Sequence, residues 1–219
     1  MVKLDILSDP ICPWCYIGKA NLERALERAP DHPFEIEWHP FQLNPDMPPE
    51  GEDRRDYLEA RFGGKQNAVA IYARVSEAAE AAGLTINFEM MNRVPNTLDA
   101  HRLIHWAGLE RRQTAMVSTL LRAYFRDGKD IGDKATLASL AGDAGMDAVL
   151  AARLLASDSD RAEIAARDAH ARQRGVNAVP TFVIANQYVL SGAQPVALWG
   201  KVIDELSATP ADAQKTVAH

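Results

Sequence analysis

The sequence predicts an α/β fold in which a small sheet is built in two halves, with a large all-helical insertion between them. Three observations carry this. Strand-like runs fall within the first 41 residues and again from residue 180. The stretch 52–174 carries helical periodicity without a convincing strand. A chain of 219 residues is also long enough to bury a core without metal or disulfide staples.

Taken in order, 2–8 is a short aliphatic run ended by Asp9-Pro10, which reads as a buried strand. A helix follows over 20–29 with Leu22, Ala25, Leu26 and Ala29 on one face, and Pro30 stops it. Pro13 stands where a first-turn proline is tolerated, because its missing N–H has no helical partner. Residues 34–41 alternate as a second strand. One helical period then runs from Tyr57 through Phe62, Tyr72 and Val75 to Gly83. Thr97 opens another helix, and further helices are expected at about 112–126, 133–144, 146–156 and 159–174. Strand character returns at 180–185, with Asn186-Gln187 as a two-residue turn into Tyr188. A last helix spans 195–206, and 209–219 reads as a frayed tail. The expected organisation is thus 1–48 and 175–208 as the two parts of one α/β domain, with 49–174 inserted.

Composition narrows the function. The net charge of −6 argues against a nucleic-acid partner and weakly against an anionic membrane surface. No stretch approaches 18 apolar residues. The first nine residues include Asp5 and Asp9 and lack the uninterrupted apolar run of a signal peptide, so a cytoplasmic protein is expected.

Cys12 and Cys15 are the only cysteines. They fall between the first strand and the first helix, and residues three apart share a helix face, so the two sulfurs can meet. A helix N-terminus offers unpaired N–H groups and partial positive charge to Cys12, favouring thiolate. Cys12 is therefore expected as an exposed nucleophile and Cys15 as the shielded resolving thiol. Other readings are a structural disulfide, two inert buried cysteines, or half of a zinc site. A reducing compartment disfavours the disulfide. Zinc needs two further ligands, and His101 and His105 lie away in the helical block, so no metal is expected.

Residues 8–18, SDPICPWCYIG, resemble the active site of the DsbA-like thioredoxin superfamily, in particular its FrnE-like branch. Residues 38–45 (WHPFQLNP), 95–103 (PNTLDAHRL) and 175–183 (GVNAVPTFV) agree with that resemblance. It implies a thioredoxin-like fold with a large all-helical insertion, and a thiol–disulfide oxidoreductase with no bound cofactor. The implied partners are protein dithiols and disulfides, or glutathione or another thiol. It also implies a cis Val179–Pro180 peptide facing the cysteines and presenting the Val179 backbone to substrate; without the resemblance, a trans proline opening an edge strand is the simpler reading. Pro13 and Trp14 would form contact surface. Asn96, Thr97 and His101 either shape and cap a helix start or line a substrate groove. The better-known relatives carry a buried acid six positions before the nucleophile. Ile6 stands there, which leaves His39 as a candidate proton relay or an ordinary strand-end histidine. The alternative function is a glutathione-dependent transferase or isomerase of the kappa or 2-hydroxychromene-2-carboxylate isomerase type, whose members have serine in place of Cys12. A homodimer is a further expectation, from the apolar surface of the insertion.

Overall fold

A computed structural model describes residues 1–208; the expected frayed tail lies outside the described residues. The main sheet has four strands, β1 (Val2–Ser8), β2 (Phe34–Pro40), β5 (Thr181–Ile184) and β6 (Tyr188–Ser191), in the order β2-β1-β5-β6. β1 and β2 run parallel, connected by helix α1 (Pro13–Arg28), while β5 and β6 are antiparallel to their neighbours. This is the mixed thioredoxin-like core. β1 lies at its centre and is the most deeply buried strand, with Leu4 and Ile6 fully enclosed. The C-terminal helix α9 (Val196–Ala208) packs beside α1, and Trp199 meets Phe182 and Phe34 edge-on at 4.8 and 6.4 Å between ring centres.

The insertion contains α2 (Arg54–Phe62), α3 (Lys65–Ala81), α4 (Leu98–Leu109), α5 (Gln113–Phe125), α6 (Lys134–Asp143), α7 (Ala148–Ala156) and α8 (Arg161–Gln173). Asp133 and Asp147 cap α6 and α7 by accepting from the first-turn N–H groups of Thr136, and of Val149 and Leu150. The apolar core of the sheet continues into the insertion through Leu103, Leu120 and Leu137. Tyr16 of α1 stacks on Phe125 of α5 at 5.3 Å. At the open edge of β2, Gln113 both donates to and accepts from the Trp38 backbone (3.0 and 2.8 Å), which closes that edge to strand addition.

Three local expectations are corrected. The helical period up to Gly83 is broken into α2 and α3, because Gly63 and Gly64 take positive φ (+69° and +119°) that ends the first helix. The insertion also contains strand: β3 (Glu52–Asp53) pairs with β4 (Arg93–Val94), a ribbon too short to leave a periodic signal. The β5–β6 turn is centred on Ala185-Asn186, both at positive φ (+54° and +57°), one residue earlier than expected. Cross-strand pairing of Ile184 with Tyr188 decides that register.

Candidate active site

Helix α1 begins at Pro13 with Cys12 as its N-cap, so both cysteines sit on the first turn at the end of the central strand. Both are free thiols. The Val179–Pro180 peptide is cis, and Cys12 Sγ lies 3.5 Å from the Val179 carbonyl, to which the thiol donates. Gly18 makes room for this apposition: a Cβ there would come within 3.0 Å of the Pro180 ring and 3.3 Å of Ala193.

Cys12 is 3% exposed, so the expectation of an exposed nucleophile is not met. Leu7, Phe41, Ala171 and Val179 close around both sulfurs, with half-buried Trp14 against the same cluster and against a second one formed by Ile17, Val75 and Ala79. Cys15 is deeper still, and burial pushes its thiol well above the usual range. Its hydrogen bond to Cys12 and the charge there raise it further, against opposing bonds from Ser8 and the Asp9 N–H. Cys15 is therefore held as a thiol, hydrogen-bonded to Cys12.

The other expected site residues divide. Asn96 shapes the start of α4: its carboxamide oxygen accepts from Leu98 N (2.9 Å) and its nitrogen donates to Met47 O (2.6 Å). Thr97, the N-cap, makes no capping bond; its side chain goes to Asp9 instead. Thr97 and His101 are buried, so of the two readings the open groove does not hold for them; the insertion folds them inward, against Asp9. His39 directs Nε2 to Asp5 Oδ1 at 2.6 Å. The groups bonded to Cys15 are Cys12, Ser8 and Asp9, so His39, the candidate relay, is engaged elsewhere. Asp5 and Glu37 are cross-strand neighbours, and Lys3 Nζ lies 3.0 and 2.8 Å from them, offsetting their repulsion.

Ile6 is no acid, but a buried acid does lie nearby at Asp9, a residue the sequence shows only as the end of a strand. It is fully buried, accepting from Leu43 N (2.6 Å) and Ile11 N (3.4 Å). Burial raises its carboxyl to about 7, with the Asp168 charge adding to that and the N–H and Thr97 bonds opposing it. Burial likewise lowers His101 to about 4, against the raising influence of Asp168 and of the Phe41 carbonyl. Asp168 accepts from Gln42 N (2.7 Å) and Arg172 Nε (3.0 Å), and the Arg172 guanidinium lies 4.2 Å over the Phe41 ring. Nothing in the local sequence distinguishes Asp168 and Arg172 from a surface i,i+4 pair.

Beside the cysteines runs a groove of about 730 Å³ over the β2–β1–β5–β6 face, bordered by α8. Leu7 and Ala171 belong to both the groove wall and the cysteine cluster, so the two adjoin. Arg167, Arg174 and His170 lie along its helical side.

A central parallel strand feeding a two-thiol helix turn, apposed to a cis-proline strand, defines a thioredoxin-superfamily oxidoreductase-type site. Residues 3–204 match the DSBA-like thioredoxin domain, and the chain belongs to that family. A probable DsbA oxidoreductase from Streptomyces coelicolor is 31% identical, with a TM-score of 0.84 over 96% of this chain and 92% of that one. The uncharacterized protein YwbO of Bacillus subtilis is 27% identical over 206 residues, covering 93% of this chain and 96% of its own. The fold is also shared with the cytosolic disulfide reductase DsbM of Pseudomonas aeruginosa, solved with glutathione (17% identity, TM-score 0.68, covering 94% of this chain and 100% of that one).

Proposed function

We propose that this protein is a thiol–disulfide oxidoreductase of the FrnE-like kind, with Cys12 as nucleophile and Cys15 as resolving thiol. The observation that carries the reading is the asymmetry of the pair. Cys12 is at the helix N-cap, facing the Val179 carbonyl, while Cys15 is kept protonated beneath it. In the first step the Cys12 thiolate attacks a substrate disulfide, forming a mixed disulfide and releasing one substrate thiolate. Cys15 then loses its proton and attacks Cys12 Sγ, so the enzyme disulfide forms and the second substrate thiolate leaves and is protonated. Two electrons pass from the dithiol to the substrate.

Pro13 and Trp14, half-buried beside Cys12, are the groups a substrate meets first, and its arrival must uncover the sulfur. The Val179 backbone offers pairing to an extended peptide or to glutathione, and the adjoining groove leaves room for either. The glutathione-bound reductase relative supports a glutathione mixed disulfide as one substrate class. In a cytoplasmic setting the pair would be largely reduced and the protein would work as a reductase.

The test is insulin reduction and turnover of a glutathione mixed disulfide by the unmodified protein, Cys12→Ser and Cys15→Ser. The reading expects Cys12→Ser to be inactive and Cys15→Ser to accumulate a mixed disulfide detectable by mass spectrometry. Full activity of Cys12→Ser would overturn it and favour a glutathione-dependent transferase or isomerase.

A further inference from the structure

We propose that Asp9 and His101 form a buried acid–base pair, one member from the loop before the nucleophile and one from the helical insertion, whose protonation sets the pH at which the dithiol becomes reactive. This rests on the thiol–disulfide reading above and assigns that site two positioning residues.

Asp9 is joined to both cysteines through its own backbone. Its carbonyl accepts from Cys12 N at 2.9 Å, and its N–H bonds to Cys15. Its side chain leaves the chain three residues before Cys12, in an enclosed site where charge on it and on a thiolate oppose one another more strongly than in water. His101 Nε2 lies 3.8 Å from Asp9 Oδ1, fully buried and without a hydrogen-bond partner. The backbone carbonyl of Phe41 accepts from the imidazole, which leaves Nε2 as the ring's unprotonated nitrogen. An acceptor in that position needs a donor, and a protonated Asp9 carboxyl supplies one after a small closure.

The surrounding groups agree. From α8, Asp168 adds negative charge toward both members and is itself held by Arg172. From α5, Tyr124 stays a neutral phenol because burial raises it. From α4, Thr97 bonds Asp9, and from α1 the two cysteines complete the shell. The carboxyl titrating near neutrality and the imidazole kept neutral place one proton between them across the working range. While Asp9 holds that proton, the thiolate meets a neutral neighbour. Once Asp9 ionises, thiolate formation is opposed.

The experiment follows thiolate formation by its ultraviolet absorbance against pH in the reduced unmodified protein, Asp9→Asn and His101→Phe. Carboxyl ¹³C resonances of the aspartate-labelled unmodified protein are followed in parallel. The unmodified protein should show one aspartate carboxyl titrating near neutrality. Asp9→Asn should abolish that resonance and lower the thiolate midpoint by about 0.5–1 pH unit. His101→Phe, which keeps the ring volume and removes Nε2, should move the acid inflection to lower pH. A purely structural role would reduce stability in both variants and leave the midpoints in place. A midpoint unchanged in Asp9→Asn overturns the proposal. If the variants do not fold, the absence of a neutral-range carboxyl in the unmodified protein overturns it equally. None of these titrations needs turnover. Expected titrations in a protein that reduces no disulfide would therefore reject the oxidoreductase reading alone, and active protein with unmoved titrations would reject the pair alone.

Discussion

Removing the Asp9 carboxyl should tilt the pH–stability profile relative to that of the unmodified protein. The carboxyl is raised from 3.8 to about 7 and the His101 imidazole is lowered from 6.5 to about 4, both mainly by burial. Between about pH 4 and 6.5 the folded protein carries a proton on Asp9 and none on His101; the unfolded chain carries it on His101 and none on Asp9. A raised carboxyl contributes stability that is complete below 3.8 and lost as pH rises to about 7. A lowered imidazole contributes stability that is present above 6.5 and lost as pH falls towards 4. Each slope is about 1.4 kcal/mol per pH unit and the two have opposite sign, so in this window they cancel. Asp9→Asn leaves only the histidine, and stability should then rise by roughly 3 kcal/mol from pH 4 to 6.5. His101→Phe leaves only the carboxyl, and stability should fall over the same interval. Urea unfolding at four pH values between 4 and 7 measures both, and groups common to all three proteins drop out of the differences. Parallel profiles for the three proteins would refute the reasoning, because the two groups would then have their unfolded affinities for protons in the folded state.

Other consequences follow from geometry. Arg102 is fully buried, donating to Asp99, Leu154 O, Ser157 O and Ser159 O at 2.7–2.8 Å. Arg102→Ala should cost about 3–5 kcal/mol in chemical denaturation, and Arg102→Lys should recover little, since an ammonium cannot reproduce the planar fork. Gly18→Ala should lower stability by about 1–3 kcal/mol by pressing on Pro180 and Ala193. It should also slow insulin reduction, whereas equal activity would show that the cis-proline loop yields freely. Phe41→Ala opens space beside both cysteines and removes the surface under Arg172. It should destabilise the protein by about 3–5 kcal/mol and speed alkylation of Cys12 by iodoacetamide.

The order of elements and the dithiol were legible because their signals are local. A strand reads from a few aliphatic residues, a helix from its period, and the reactive turn from two cysteines flanking Pro13-Trp14. The α2–α3 break was carried by Gly63-Gly64, but a continuing apolar period on either side hid it. The β5–β6 turn moved one residue because cross-strand packing outweighed the preference of Ala185 for negative φ.

By itself, then, the sequence determined a split α/β fold with a helical insertion and a cysteine pair at the end of its first strand. Tertiary structure decided what stands behind that pair. Asp9 lies three residues from Cys12, but His101, Asp168 and Tyr124 reach it only through helices about 90 to 160 residues further along. Burial, which shifts both Asp9 and His101, is likewise a property of the packed chain. A carboxyl before a proline is an ordinary turn residue until the insertion closes over it and removes water.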